Sequence, residues 1–152
     1  MKKTAPTDLL AAAVKAAGQG QLLDELAGLY ARLEGELAAN PVRCNRCGRC
    51  CDFAAFGHRL YVTPIELALL VKEPAPDGST PALRCPYQLE GQCSAHNRRT
   101  LGCRVFFCGA PREREQALYE PYHAQLRALH GQSGVPYLYV ELTDALSRIA
   151  RG

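Results

Sequence analysis

Eight cysteines dominate the chemistry that this chain of 152 residues can support. Four fall within the eight residues CNRCGRCC and four more follow in a second block: Cys44, Cys47, Cys50, Cys51, Cys85, Cys93, Cys103 and Cys108. Thiolate sulfur is a soft ligand that selects zinc, copper(I) or iron-sulfur clusters over hard cations. This density of thiols therefore predicts a metal site built from all eight.

The spacing within the first block indicates the kind of metal site. Two residues separate Cys44 from Cys47 and Cys47 from Cys50, and a CxxCxxC run completed by a remote cysteine commonly holds a four-iron cluster. Cys51 directly follows Cys50, so we expect these two side chains to diverge toward two centres or to border one polynuclear cluster. We favour an iron-sulfur cluster of the 4Fe-4S type, and Zn2+ stays open as the alternative.

Disulfides are the competing explanation for an even number of cysteines. They suit short secreted chains, whereas the apolar stretch near the start of this chain, Leu9 to Val14, is shorter than the core of about 7–15 residues in a secretory signal. No run approaches the roughly 18 apolar residues of a membrane span. We therefore expect a cytoplasmic protein that makes no membrane contact and keeps its thiols for metal.

Basic residues are concentrated around the cysteines. Residues 43–108 hold nine lysines and arginines against five acidic residues, although the net charge of the chain is only +3. We expect Arg99 and Arg104 to donate hydrogen bonds to cluster sulfurs or to loop carbonyls. Nucleic-acid contact is possible but not favoured, because the thiolates would neutralise much of this charge.

No catalytic constellation is visible in the sequence, and whether the chain is an enzyme stays open. There is no glycine-rich nucleotide loop, and no spacing supports a pairing of nucleophile and base. His58, His123 and His130 are scattered, which is typical of surface histidines. Six aromatic residues flank the cysteines and are expected to exclude water from a cluster: Phe53, Phe56, Tyr61, Tyr87, Phe106 and Phe107.

The N-terminal part predicts helices. Residues 7–39 are helical in pattern, with Gly18 and Gly20 as punctuation, and Asn40-Pro41 ends the second stretch. An apolar stripe, the Leu22–Leu37 stripe, recurs at three- and four-residue steps: Leu22, Leu26, Leu29, Leu33 and Leu37. The stripe either packs as a helical hairpin on the cysteine region or forms a short coiled-coil dimer contact.

The strongest local signal lies between the two cysteine blocks. Thr63 suits an N-cap, Pro64 the first helical position and Glu66 the third position, where its side chain can return a hydrogen bond. This capping box predicts a helix from 64 to about 72. The turn-rich stretch 73–81 then predicts a surface connector.

The C-terminal part predicts two more helical stretches and a strand. Residues 112–120 look helical, and Pro121 restarts a helix that Gly131 should end, with Tyr122, Leu126 and Leu129 as its apolar face. The alternation in YLYVEL, residues 137–142, predicts a strand. Thr143 or Asp144 should cap a last helix through Ile149.

These elements predict a mainly α, small α-rich domain with minor β and an irregular metal-stapled centre. It divides into an N-terminal helical segment at 1–40, a cysteine-cluster metal-binding region at 41–111, and C-terminal helices with a short strand at 112–152. We expect the three parts to form one compact unit, and metal binding to contribute to the folding of the middle part.

Several motifs together resemble the CxxCxxCC cysteine-cluster family, which is described as zinc- or iron-chelating and iron-sulfur-cluster-containing. The resemblance covers residues 43–110: CNRCGRCC, the Thr63-led helix, Cys85-Pro86, and CSAHNRRTLGCRVFFC, which matches the family's CSIYENRPLTCRLFPC without a gap. This chain departs from the pattern at three positions. His96 stands at the usual tyrosine, Thr100 at the proline after the arginine, and Phe107 at the proline before the last cysteine.

The resemblance implies metal binding, with both iron-sulfur and zinc proposed for the family, and it implies no particular reaction. It leaves three functions open: an iron-sulfur protein for electron transfer or a redox partner, a zinc-binding interaction module that could contact nucleic acid, and an accessory to a methyl-transfer enzyme. In each, an unknown protein partner is expected. His96 could serve as a nitrogen ligand or as a donor to sulfur, although a polar role beside the site is more typical.

Overall fold

The computed structural model describes residues 6–18, 20–39, 60–73, 87–89, 92–93, 95–105 and 112–151, and these are mainly helical. The predicted fold class, mainly α with minor β, is confirmed, whereas the metal-stapled centre falls largely outside these ranges. The helices are α1 (Pro6–Ala17), α2 (Leu22–Ala39), α3 (Pro64–Leu70), α4 (Leu101–Val105), α5 (Arg112–Ser133) and α6 (Leu142–Arg151). A 3-10 turn spans His96–Arg98, and the strands are β1 (Tyr61–Val62), β2 (Gln88–Leu89), β3 (Gln92–Cys93) and β4 (Val140–Glu141).

Helices α1 and α2 follow one another across a short turn, as the sequence predicts, and both pack on α3. The connection turns at Gly20, whose φ of 69° lies in the left-handed region that glycine adopts without strain. Every leucine of the Leu22–Leu37 stripe is buried within the chain, where α2 packs against α3 and α5. The stripe is therefore used as the hairpin alternative expects. A dimer through it would have to displace these contacts.

Helix α3 lies at the centre of the core. It begins with the predicted capping box at Thr63, with Pro64 at its first turn, and ends at Leu70, close to the predicted end. Because α3 packs on both α1 and α2, its side chains Ile65 and Leu67 are fully buried. The described part of residues 41–111 thus shares one hydrophobic core with the N- and C-terminal helices.

The β structure is smaller than predicted. Strand β4 covers only Val140–Glu141, and residues 134–139 precede it without regular secondary structure. It pairs antiparallel with β1, Val62 opposite Val140, while β2 and β3 form a separate two-stranded sheet. The prediction of a strand over 137–142 was wrong at both ends, because Leu142 already begins helix α6.

Helix α5 corrects two predictions. It is continuous through Pro121, which therefore does not restart a helix; Pro121 and Ala117 are both exposed, so water can reach the carbonyl that proline leaves without its N–H partner. The helix also passes Gly131 and ends after Ser133. Gly134 adopts a φ of 76° and donates its N–H to the His130 carbonyl, 3.0 Å away.

Helix α6 is capped by a residue that the sequence did not suggest. The Glu141 carboxylate accepts the backbone N–H groups of Thr143 and Asp144, at 3.2 and 3.0 Å. Thr143 and Asp144 are therefore the capped residues rather than the caps, because the longer glutamate side chain folds back over the first turn. No helix within the described ranges is both long and apolar enough to cross a bilayer.

Candidate functional site

Most of the predicted metal ligands lie outside the described residues, namely Cys44, Cys47, Cys50, Cys51, Cys85 and Cys108. Cys93 belongs to the short strand β3, and Cys103 lies on α4 with its side chain partly buried. Within the described ranges no group of three His, Cys, Asp or Glu side chains could hold a metal ion. The convergence of the eight sulfurs therefore stays a prediction, and the site can be built upward from Cys103.

Thr100 holds Cys103 through two hydrogen bonds. Its hydroxyl lies 3.2 Å from Cys103 Sγ, to which it donates, and 3.4 Å from the Cys103 backbone N–H, from which it accepts. Thr100 is thus the cap of the short helix α4. A donor aimed at sulfur stabilises the thiolate form that binds metal and that attacks electrophiles.

Glu66 fixes the start of α4 through its side-chain carboxylate. Its carboxylate accepts the Leu101 N–H at 2.8 Å and, on the other oxygen, the Thr63 N–H at 2.9 Å, so one side chain caps α4 and α3 together. The hydroxyls of Tyr30 and Thr63 complete this set at 3.2 Å each. The capping glutamate predicted for α3 therefore also joins that helix to the segment that carries Cys103.

Burial sets the acidity of this group. Glu66 is 1% exposed, and desolvation raises its pKa above the ordinary value, although the N–H donors of Leu101 and Thr63 oppose the shift. Burial, followed by the neighbouring Glu66 carboxyl, likewise raises the pKa of Tyr30 well above 10.0. The Tyr30 phenol therefore stays protonated and keeps its role as a hydrogen-bond donor.

Arg104 fixes the other side of the same segment. Its guanidinium donates to the Arg99 and Asn97 carbonyls at 2.8 and 2.9 Å, and it forms an ion pair with Glu34 at 2.8 Å. It also lies over the Tyr30 ring, 4.1 Å from the centroid. Of the two kinds of acceptor expected for Arg104, sulfurs or loop carbonyls, the described contacts are with carbonyls. We call Tyr30, Glu34, Glu66, Thr100 and Arg104 the Glu66–Arg104 platform.

The arginines beside Cys103 carry less uncompensated charge than the count over 43–108 indicates. Glu34, from outside that window, pairs with Arg104 and lies 3.9 Å from Arg99, and Glu73 pairs with Arg98 at 3.2 Å. Arg98 also donates to the Leu70 carbonyl at the end of α3. These arginines therefore connect the cysteine segment to α2 and α3. Their charge is partly compensated by these glutamates and is less available to a ligand.

His96 begins the 3-10 turn that leads into this segment. The turn closes through the Arg98 N–H, which donates to the Ala95 carbonyl at 2.8 Å, and the Asn97 carbonyl accepts from Arg104. The backbone at His96 is thus fixed between Cys93 and Cys103. Its role as a ligand or as a donor to sulfur stays a prediction.

Two histidines that looked scattered are brought together. His123 and His130 both contact the ring of Tyr137, with centroids 6.0 and 5.5 Å away. His130 is 3% exposed, so the interpretation of this residue as a surface histidine was wrong, whereas His123 is half-buried. Tyr61 is part of the same group, stacked on Tyr139 and 40% exposed. Its expected role in excluding water from a cluster stays a prediction, because most of the predicted ligands lie outside the described residues.

Three of the platform's residues were missed by sequence reasoning, namely Thr100, Tyr30 and Glu34, the last of which contacts Arg104 from 70 positions away. Thr100 was noted only as a departure from a proline, although a threonine directly before LGC at the start of a short helix is an N-cap signal. Tyr30 gave no such signal, because its contacts come from distant parts of the chain.

Comparison with protein-family models, with curated proteins and with solved structures finds no match.

Proposed function

We propose that this chain binds a metal centre through its two cysteine blocks, and that the centre is an iron-sulfur cluster of the 4Fe-4S type that exchanges electrons with a partner protein. The observation that carries the proposal is the CNRCGRCC quartet, whose CxxCxxC spacing is typical of four-iron ligation. The resemblance of residues 43–110 to the CxxCxxCC cysteine-cluster family supports the same function.

The surroundings of Cys103 are compatible with a ligand. Cys103 packs against the hydrophobic core, but it is only partly buried, and its Sγ accepts a hydrogen bond from the Thr100 hydroxyl. The residues that would hold the cluster are Cys44, Cys47 and Cys50 with one remote cysteine, for which Cys103 is a candidate. The cluster supplies one-electron transfer when bound, and the chain supplies the fixed sulfur and its hydrogen-bond donor.

The Glu66–Arg104 platform supports this proposal by making the ligand segment rigid. Glu66 holds the first N–H of α4, and Arg104 holds two carbonyls of the turn that precedes it. Because both side chains are almost fully buried, their hydrogen bonds compete little with water. A sulfur on such a segment is preorganised, which lowers the entropic cost of ligation.

Metal analysis of the full chain purified without oxygen tests the proposal. We expect iron and acid-labile sulfide in equal amounts, visible absorption that bleaches on reduction, and a paramagnetic signal from the reduced cluster. Cys47→Ser should lose the cluster, and an exposed charge variant such as Lys15→Ala serves as the folded control. Protein that is colourless and contains stoichiometric zinc would replace the iron-sulfur proposal with the zinc alternative. Protein without bound metal would refute both.

A further inference from the structure

A short segment without regular secondary structure, residues 134–139, connects α5 to β4, and we call it the strap. Its Val135 is 6% exposed and belongs to the hydrophobic core, whereas its two tyrosines, Tyr137 and Tyr139, are 40% and 44% exposed. Tyr61 of β1 is stacked on Tyr139, with ring centroids 5.2 Å apart. We call Tyr61, Tyr137 and Tyr139 the tyrosine face.

Two histidines of α5 hold the strap against that helix. His130 Nδ1 lies 3.0 Å from the Val135 carbonyl, and His123 Nε2 lies 2.8 Å from the Tyr137 hydroxyl. Both imidazole rings also meet the Tyr137 ring nearly at a right angle, at 88° for His130 and 72° for His123. The attachment of the strap therefore depends on two side chains of the type that changes charge near neutral pH.

The second nitrogen of each imidazole is buried without a hydrogen-bond partner among the described residues, namely His123 Nδ1 and His130 Nε2. A carbonyl only accepts, so the Val135 contact places the proton of neutral His130 on Nδ1 and leaves Nε2 as a lone pair. In the protonated form of either histidine, the second nitrogen would carry an N–H for which no described group is an acceptor. A buried donor left in this way is destabilising, so the attached strap favours the neutral imidazoles.

The groups around the two imidazoles supply no negative charge that would offset protonation. No carboxylate of the described residues forms an ion pair with either histidine. The titratable neighbours on the strap and on β1 are the phenols of the tyrosine face, and those on α5 are the Tyr119 phenol, stacked on the His123 ring, and the Arg127 guanidinium. Glu66 on α3 acts at longer range on Tyr119 and Tyr137, but its carboxylate already accepts the N–H groups that begin α3 and α4.

The electrostatics of the two histidines act in the same direction as their hydrogen bonding. Burial lowers the pKa of His130, although the Val135 and Pro136 carbonyls oppose the shift. Burial, followed by the positive charges of Arg127 and His130, lowers the pKa of His123. With the strap detached, both imidazoles would face water and titrate near an ordinary value of about 6.5. Below that pH the detached form binds protons first, so the equilibrium shifts toward detachment as the pH falls.

We propose that the strap is a pH-sensitive device, in which protonation of His123 and His130 detaches it from α5 and exposes Val135. Detachment also separates Tyr139 from Tyr61 and so loosens the pairing of β4 with β1. The hydrogen bonds that begin α3 and α4 involve neither histidine, so these helices should stay folded while the strap opens. The device is separate from the cysteine blocks, and it does not depend on whether those blocks hold iron or zinc.

Hydrogen–deuterium exchange of the full chain at pH 7 and pH 5, corrected for the pH dependence of chemical exchange and measured by mass spectrometry, tests the proposal. Exchange over residues 134–141 should rise roughly tenfold or more between these pH values, whereas helix α3 should keep its protection. The double variant His123→Gln, His130→Asn keeps an amide group near each bonded imidazole nitrogen but cannot be protonated, so its strap should lose most of this pH dependence. His58→Asn, which removes an imidazole that does not hold the strap, is the matched control and should behave like the parent.

Three results would overturn the proposal. Equal corrected exchange of the strap at both pH values would show that it does not open, and an equal loss of protection in α3 would show global unfolding instead. A double variant as sensitive to pH as the parent would assign the effect to other groups, including the cysteines, all of which that variant retains. If the double variant does not fold, nuclear magnetic resonance of the parent decides. We expect both imidazoles to titrate below 6.5 together with a change in the strap signals, and titration at 6.5 or above with an unchanged strap would contradict the device.

Discussion

The Glu66–Arg104 platform and the tyrosine face are built on opposite physical principles. In the platform, a buried carboxylate and a buried guanidinium each have several hydrogen-bond partners, some a few residues away and others in distant parts of the chain. In the tyrosine face, aromatic rings stay exposed, while His123 Nδ1 and His130 Nε2 behind them are buried without a partner among the described residues. The first arrangement is suited to holding a segment still, and the second is suited to releasing one when the histidines are protonated.

The largest effect is expected from removing the Glu66 carboxylate, which tests whether the platform stabilises the fold. Glu66→Ala leaves the N–H groups of Leu101 and Thr63 buried without an acceptor, so it should lower the free energy of unfolding by about 3 kcal/mol or more. Urea denaturation measures the change. Glu73→Ala, at an exposed ion pair, is the matched control and should cost at most about 1 kcal/mol. Equal effects from the two variants would refute the anchoring role of Glu66.

Exchanging arginine for lysine compares the two regions directly. Arg104→Lys keeps the charge but cannot reach two carbonyls and Glu34 together, so we expect a loss of about 2 kcal/mol in the free energy of unfolding. Arg127→Lys, on the exposed tyrosine face, should change stability by less than about 0.5 kcal/mol. If the two substitutions have the same effect, the contacts of Arg104 do not stabilise the fold as described.

Removing the hydroxyl of Thr100 should have a smaller effect on stability, and it also tests the reactivity of the Cys103 thiol. Thr100→Val removes both the cap of α4 and the donor to Cys103 Sγ, so it should cost about 1 kcal/mol and raise the pKa of the Cys103 thiol. Alkylation of Cys103 at neutral pH, followed by mass spectrometry of the labelled peptide, should then be slower. Thr100→Ser keeps the hydroxyl and should behave like the parent in both measurements.

The two regions should also respond to pH with opposite signs. Burial lowers the pKa of His123 and of His130 below 6.5, so the unfolded chain takes up protons first and stability should fall as the pH drops below about 6.5. Burial raises the pKa of Glu66 above 4.5, so its contribution is greatest below that value and is lost as the pH rises through the folded-state pKa. Thermal melts of His130→Asn and Glu66→Gln should separate the two slopes; a parent-like acid slope in His130→Asn would contradict the first assignment.

The features that could be predicted from the sequence are those that depend on interactions between residues close together in the chain. The two N-terminal helices and the start of α3 were predicted because their signals, an apolar stripe and Thr63-Pro64, act within a few residues. The end of α5 was predicted at the wrong glycine. Gly131 and Gly134 are equally able to end a helix, so the local sequence does not choose between them. In the structure the helix ends at Ser133, and the chain after Gly134 turns back so that the Val135 carbonyl lies 3.0 Å from His130 Nδ1.

The candidate site shows the same limit. Cys103, Arg104 and Glu66 were each identified, but the contacts of Glu66 with Tyr30 and Leu101 join residues 35 or more positions apart, which no local pattern encodes. The tyrosine face had one detectable signal. Tyr119, His123 and His130 recur at helical spacing on one side of α5, and Tyr137 and Tyr139 come from a separate extended segment.

The position of β1 has a consequence for the first cysteine block, which lies between α2 and β1 in the sequence. The stretch from residue 40 to residue 59 runs between the end of α2 and Leu60, whose carbonyl accepts the Leu142 N–H at 2.8 Å and so ties β1 to the C-terminal helix. Both ends of the stretch are thus pinned to the helical body. A segment joined at both ends has fewer accessible configurations than a free peptide of the same length. If the proposed metal centre forms, the whole chain should therefore bind metal more tightly than a peptide that carries only Cys44 to Cys51.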